Sequence, residues 1–278
     1  MQGKTDCLSD FAMHLRAEER SNGTIDKYMR DVRRFLSWKG DKALDKEQVS
    51  AWKGQLSVDG YAPETINSMI VALNRFLDFI GRSDCRVRTL RVQRKLFRRQ
   101  ERELTRVEYE RLVQTARERG QERLALLLEA IAATGIRVSE VQYLTVQAAK
   151  TGRAEISLKG KIRVILLPNK LCRKLLKYAK KQKTASGEIF LTRNGRSLSR
   201  KQIWAEMKAL CKAAGIAADK VFPHNLRHLF AREFYKICRD VVKLADILGH
   251  SSIETTRIYL LSTGEEHVKQ LSQLRLIS

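Results

Sequence analysis

Between positions 86 and 102 the chain reads RVRTLRVQRKLFRRQER, with eight basic residues and a single acid, Glu101. So one-sided a stretch cannot cross a hydrophobic core, because each buried cation would need its own partner. The chain is therefore expected to divide around it. Residues 1–83 form one domain, 84–102 a basic interdomain linker, and 103–278 a second domain. Only 3 of the 278 residues are proline, well under the typical ~5%, which favours long helices. The expected fold is mainly α: an all-helical N-terminal domain, and a mostly helical second domain with a small antiparallel β-sheet.

Apolar spacing builds the first domain as four helices. Leu8, Phe11, Ala12 and Leu15 recur at helical intervals. Ser21-Asn22-Gly23-Thr24 reads as a turn, with Thr24 as N-cap of a second helix carrying Ile25, Met29, Val32 and Phe35 on one face. A third helix is expected over 46–56, and Pro63 opens a fourth that carries Ile66, Ile70, Leu73 and Leu77. In the second domain Thr105 and Glu108 have capping-box spacing. Residues 123–134 are apolar nearly all round, and Gly135 breaks that helix. Segments 154–158 and 162–166 alternate about Lys159-Gly160-Lys161, which predicts a hairpin with a basic tip, and 188–191 is a candidate strand of the same sheet. Further helices are expected near 168–183, 199–214, 224–236, 240–248, 252–260 and 265–276. The last carries Val268, Leu271 and Leu274 in a stripe, for which docking in its own domain and on a neighbouring protomer are both open.

Charge narrows the partner. Lys and Arg number 54 against 31 Asp and Glu, a formal charge of +23, and such a surplus repels itself unless it meets a polyanion. Nucleic acid leads, with an anionic membrane second. At 43% hydrophobic the chain can bury a core, which excludes a disordered basic tail. Five scattered cysteines without a Cys-x-x-Cys pair point away from a disulfide framework or a cysteine zinc cluster and suit a reducing compartment. No signal peptide is evident, and the most apolar stretch, 124–133, is too short to span a bilayer. The expectation is a cytoplasmic, nucleoid-associated protein. Arg86, Arg88, Arg91, Arg94, Lys95, Arg98 and Arg99 would then lie along a phosphate backbone.

Five separated fragments carry chemistry: Thr134-Gly135-Ile136-Arg137-Val138-Ser139-Glu140, Leu158-Lys159-Gly160-Lys161, His224-Asn225-Leu226-Arg227-His228, Leu248-Gly249-His250, and Tyr259. Two arginines can grip the non-bridging oxygens of one phosphodiester. A lysine on a hairpin tip can reach into a groove, histidines can move protons near neutral pH, and a tyrosine hydroxyl can attack covalently. The fragments contain no carboxylate cluster for magnesium, so fixed cations would have to stabilise the transition state. Lys159 and Lys161 both flank the turn glycine and compete for the hairpin role, with Lys159 favoured; Lys161 and Arg163 are assigned as DNA contacts.

In order and separation these fragments resemble the tyrosine recombinase, or phage integrase, family in its simple two-domain form without an arm-binding domain. The resemblance is close over 134–260 and looser over the N-terminal helices, which are similar to the family's core-binding domain. It implies two domains clamping duplex DNA, and a catalytic set of Arg137, Lys159, His224, Arg227, His250 and Tyr259. Tyr259 would form a 3′-phosphotyrosine, Arg137 and Arg227 would clamp the phosphate, and Lys159 would protonate the leaving 5′-oxygen. His224 would assist as acid and base, and His250 would donate to the phosphate. No metal or ATP is implied. The implied assembly is a homotetramer on two sites that is a monomer or weak dimer free in solution, with accessory DNA-bending proteins as further partners. Leu229 departs from the small hydroxyl residue that the family often places after Leu-Arg-His. Two rival functions stay open on sequence: relaxation of supercoils by a type IB topoisomerase, and DNA binding with an inactive site.

Overall fold

Four helices with one apolar face each make the first of two units, Met1–Arg94. They are α1 (Gln2–Ala17), α2 (Asn22–Lys39), α3 (Lys46–Val58) and α4 (Pro63–Phe79). The structure, a computed structural model, describes residues 2–92, 103–158, 161–260 and 272–273. Phe11, Leu15, Phe35, Trp52, Ile70, Leu73 and Leu77 form the centre of this unit's core. Phe11 meets Phe76 edge-on at 5.3 Å, and Phe35 meets Trp52 edge-on at 5.2 Å, the geometry that ring quadrupoles favour.

Helix α2 begins earlier than its sequence suggests. Ser21, with extended backbone, is the N-cap in place of Thr24. Asn22 and Gly23 join the first turn, and the Thr24 hydroxyl lies 3.0 Å from that of Ser21. In α3, by contrast, Asp45 caps with its carboxylate, which accepts from the Gln48 N–H.

The first part of the segment expected as a basic interdomain linker is docked against the first unit. Cys85, which closes a 3-10 turn (Ser83–Cys85), is buried, and in the extended chain that follows Val87 turns inward while Arg86 and Arg88 turn out. Two asparagines of α4 hold it. The Asn74 side chain donates to Val87 O at 2.8 Å and accepts from Val87 N at 3.2 Å; Asn67 donates to Leu90 O at 2.9 Å and accepts from Leu90 N at 2.6 Å. The match is geometric. Seven helical residues rise about 10.5 Å and three extended residues span about 10 Å, so both amides meet backbone in one register. Residues 93–102 lie outside the described residues.

The second unit, Lys95–Ser278, begins its described part with the expected capping box. Thr105 Oγ1 accepts from Glu108 N, and the Glu108 carboxylate accepts from Thr105 N. Helix α5 (Arg106–Glu118) and the almost wholly buried α6 (Glu122–Thr134) pack together. Gly135 ends α6 with φ +62°; a Cβ there would meet Phe230 and Leu248 at 2.5–2.9 Å, so this position needs glycine for both backbone and space. Next come a 3-10 turn (Val138–Tyr143) and the short α7 (Val146–Thr151).

Strands β1 (Arg153–Leu158) and β2 (Lys161–Leu166) pair antiparallel, with Ile156 opposite Arg163 and Ala154 opposite Ile165. The expected third strand at 188–191 does not join them. Glu188 bridges Thr145 and Leu191 bridges Ser197 as isolated pairs, and the described sheet has two strands. Ile189 and Phe190 are buried, so their apolar run serves the core without a ladder. Helices α8 (Asn169–Lys181), α9 (Arg200–Ala214), α10 (Pro223–Cys238), α11 (Val241–Leu248) and α12 (Ile253–Arg257) complete the unit, followed by a 3-10 turn at Ile258–Leu260. Helix α8 buries Leu171, Leu175 and Ala179 and exposes Lys170, Arg173, Lys177 and Lys180. Among the described residues no helix is long and apolar enough to cross a membrane. The tail stripe of Val268, Leu271 and Leu274 lies outside the described residues.

Candidate active site

Two helix C-termini create the site. Helix α6 ends at Gly135 and α11 ends at Gly249, each glycine in the left-handed region at φ +62°. Their last carbonyls have no partners within the helix and carry the negative end of the helix dipole. Arginines collect there. Arg227, from the second turn of α10 and 2% exposed, donates from Nη1 to Gly135 O at 2.5 Å and from Nη2 to Leu248 O at 2.7 Å. Arg137 donates from Nη2 to Gly249 O at 3.2 Å. Burial lowers the Arg227 guanidinium to about 10, which still leaves it charged at neutral pH.

Glu140 balances the cluster. It is 2% exposed and accepts from Arg137 twice, from the backbone N–H at 2.9 Å and from Nη1 at 3.0 Å. Its other bond is to Arg163 Nη2. Burial alone would raise this carboxyl, but the Arg137 N–H and the Arg163 charge outweigh it and hold the group below the usual carboxylate range. The Arg-x-x-Glu spacing was the available signal for this role, since three residues make one 3-10 turn.

Tyr259 enters this polar end of the unit from the 3-10 turn after α12. It is 5% exposed, with Ala231, Leu244 and Leu248 beneath it. Its other neighbours are imidazoles. His228 meets the ring at 4.3 Å, His250 lies parallel to it at 5.5 Å, and His224 is 5.7 Å away. The Arg227 guanidinium lies close enough to its hydroxyl to interact with it electrostatically. His228 follows His224 by four residues, one helical turn, and their rings are 4.6 Å apart; that spacing places it against the Tyr259 ring, although sequence reasoning assigned it no chemical part.

The tautomer of His250 follows from its partners. Arg227 Nη2 lies 2.9 Å from Nε2, and arginine has only donors, so Nε2 accepts. The ring proton is then on Nδ1, which faces Thr256 Oγ1 at 2.8 Å. Burial, then the charges of Arg227, Arg137 and Arg163 and the neighbouring His224, bring His250 down to about 4. Burial with Arg227 and Arg137 also pushes His224 below its ordinary value. Both rings are neutral at pH 7.

The structure thus brings Arg137, His224, Arg227, His250 and Tyr259 together. Lys159, Arg94, Lys95, Arg98 and Arg99, and the side chain of Lys161, lie outside the described residues. Arg86, Arg88 and Arg91 are exposed on the first unit, and so are Arg30, Arg33 and Arg34 on α2, which sequence reasoning passed over. Arg163, assigned from sequence as a DNA contact, turns instead to the inner side of the hairpin. The pleat places it on the same face as Ile165, and its side chain, 14% exposed, is bonded to Glu140 and to the end of α11.

The model of the phage integrase family matches residues 102–266, and that of its N-terminal SAM-like domain matches residues 8–83. Tyrosine recombinase XerA of Thermococcus kodakarensis is 30% identical over all of this chain and 98% of its own length. The fold is shared with the Tn1549 transposon integrase bound to transposon right-end DNA, with TM-score 0.74, 15% identity and coverage of 98% of this chain and 99% of that one. It is shared also with a lambda integrase tetramer bound to a Holliday junction, with TM-score 0.74, 18% identity and coverage of 92% of this chain and 76% of that one.

Proposed function

The chain belongs to the phage integrase family and is a tyrosine site-specific recombinase, and we propose that it breaks and rejoins DNA strands through Tyr259. The Tyr259 hydroxyl attacks the scissile phosphorus. The phosphorus bond to the 5′-oxygen breaks, a 3′-phosphotyrosine forms, and Lys159 supplies the proton that leaves with the 5′-hydroxyl. His224, neutral at pH 7, accepts the phenol proton. The 5′-hydroxyl of a partner strand then attacks the phosphotyrosine, expels the phenol and restores the duplex backbone. Each break is matched by a bond of the same kind, so the exchange is close to thermoneutral.

The observation that carries this reading is the setting of Tyr259, its ring among His224, His228 and His250 and within electrostatic reach of Arg227. A phosphate arriving at Arg227 would take over the Nη2 donor now held by His250. The nearby phosphate charge favours a second proton on His250, which would then donate through Nε2. Arg137, with a 39% exposed side chain, is oriented by Glu140 yet still open to a phosphate oxygen.

Duplex DNA is the substrate. Arg86, Arg88, Arg91, Arg94, Lys95, Arg98, Arg99 and Lys161 supply sequence-independent phosphate contacts. Four copies act on two sites in the cytoplasm, where integration, excision and resolution differ only in how those sites are arranged. The test is a nicked suicide duplex carrying a site selected by binding from a random library. The expected product is a covalent protein–DNA adduct, stable to denaturant, that is absent with Tyr259→Phe. An adduct that persists in Tyr259→Phe removes Tyr259 from the reaction.

A further inference from the structure

Arg163 lies behind the cluster just described, and its contacts give it a different part from the DNA contact its charge suggests. It leaves β2 on the inner face and reaches two other elements. Nη2 bonds the Glu140 carboxylate; Nη1 donates to Leu248 O and, at 3.3 Å, to Ile247 O. Gly249 sits directly on it. A Cβ at Gly249 would lie 2.5 Å from Arg163 Cδ and 2.6 Å from Nη1, so the turn closes over the guanidinium with no space between. The side chains of Arg137 and Arg163 share one carboxylate but differ in access: Arg137 is 39% exposed and Arg163 14%. The first can meet a phosphate and the second supports it.

We propose that Arg163 is a positioning residue for strand cleavage, tying β2 to Glu140 and to the Leu248-Gly249-His250 turn so that Arg137 and His250 are held at the phosphate. The proposal rests on the reading of this cluster as the cleavage site. Its physical basis is the shape of guanidinium, a rigid planar fork whose donors can serve a carboxylate and two carbonyls at once. An ammonium is a single point and cannot span all three acceptors. Glu140 would still have Arg137 without Arg163, but the turn carrying His250 would lose its tie to the hairpin. A displacement of about 1 Å in a positioned group can cost ~100-fold in rate.

The test separates support from DNA contact. Arg163→Met is compared with the parent in single-turnover adduct formation on the suicide duplex, with affinity measured across salt concentrations. The expected result is a rate for the bound complex lower by about 100-fold, with affinity and the slope of log K against log salt unchanged. Loss of about one unit of slope with a normal rate on the bound complex overturns the proposal and makes Arg163 a phosphate contact. Arg163→Lys keeps the charge but not the fork, and is expected to be nearly as slow; full activity there also overturns it.

Should Arg163→Met fail to fold through its unpaired neighbour, Arg163→Met/Glu140→Gln removes both charges, and the same slow rate is expected. A readout independent of activity is the imidazole titration of His250 by NMR. Arg227, Arg137, Arg163 and His224 all face that ring. In Arg163→Met it is expected to titrate nearer the ordinary histidine value, and an unmoved titration counts against the tie. If the unaltered protein forms no adduct, the cleavage reading itself falls; if it does and the Arg163 variants match its rate, only this proposal falls.

Discussion

The arginines of the active-site cluster and those of the segment after α4 are the same residue type under opposite rules. Arg227 is buried and tolerated because Gly135 O and Leu248 O, at the ends of α6 and α11, accept from it, and the largely covered Arg163 is tolerated because Glu140 and the carbonyls at the end of α11 do. Arg86, Arg88 and Arg91 point outward from an extended chain whose backbone is held by Asn67 and Asn74, with Arg86 also paired at the surface to Asp78 at 3.3 Å. In the first region the cations are fixed before any ligand arrives, as stabilisation of developing charge requires. In the second the charges stay exposed to water, which suits contact with a phosphate backbone that only needs neutralising. The same guanidinium fork serves two roles here, and what its neighbours offer as acceptors decides which.

Arg227→Ala should show the largest effect. It removes the proposed phosphate clamp and strands Gly135 O and Leu248 O, so adduct formation should fall by at least about 1,000-fold and unfolding free energy by roughly 2–4 kcal/mol. A urea midpoint within error of the parent would mean that the carbonyl cage does not hold this side chain. Next come Asn67→Ala and Asn74→Ala. Each deletes two hydrogen bonds to the docked segment, at about 1–2 kcal/mol each, and trypsin should then cut at Arg86 to Arg91 faster; unchanged protection would show that Cys85 and Val87 suffice to hold it. Arg86→Gln/Arg88→Gln/Arg91→Gln should leave stability within about 0.5 kcal/mol and flatten the salt dependence of DNA binding by up to ~3 units of slope. An unflattened slope would put these arginines away from the phosphates.

A further expected effect concerns pH. His250 titrates at about 4 in the folded chain, below its ordinary unfolded value of ~6.5. Between those values the unfolded state binds more protons, so this residue's contribution is full above about pH 6.5 and is lost as pH falls towards 4. The loss of urea stability from pH 7 to 4.5 should therefore be shallower in His250→Gln than in the parent. Equal slopes would mean that His250 titrates alike in both states.

Much of the architecture was legible in the sequence because it depends on local signals. The Thr105–Glu108 capping box, the apolar face of α4, the glycine stop at Gly135 and the hairpin around 159–161 all express spacing over a few residues. Some features were not legible. Residues 188–191 have strand composition but bridge elsewhere, because pairing depends on which edge is near. Residues 85–92 read as linker because the partners that dock them, Asn67 and Asn74, are ordinary polar residues on the exposed side of a helical pattern. Glu140 stands in the sequence only as context for Arg137, whereas in the fold its Oε2, which accepts from the Arg137 N–H, also accepts from Arg163, 23 residues away.

By itself the sequence determined which chemical groups this protein has and which short elements carry them, since capping, periodicity and turn formation act between near neighbours. Only the tertiary structure decided that α6 and α11 end side by side, which of the arginines is buried there, and which imidazole nitrogen holds its proton. Those outcomes depend on acceptors supplied from distant parts of the chain, and no local pattern encodes the distance between two helix ends.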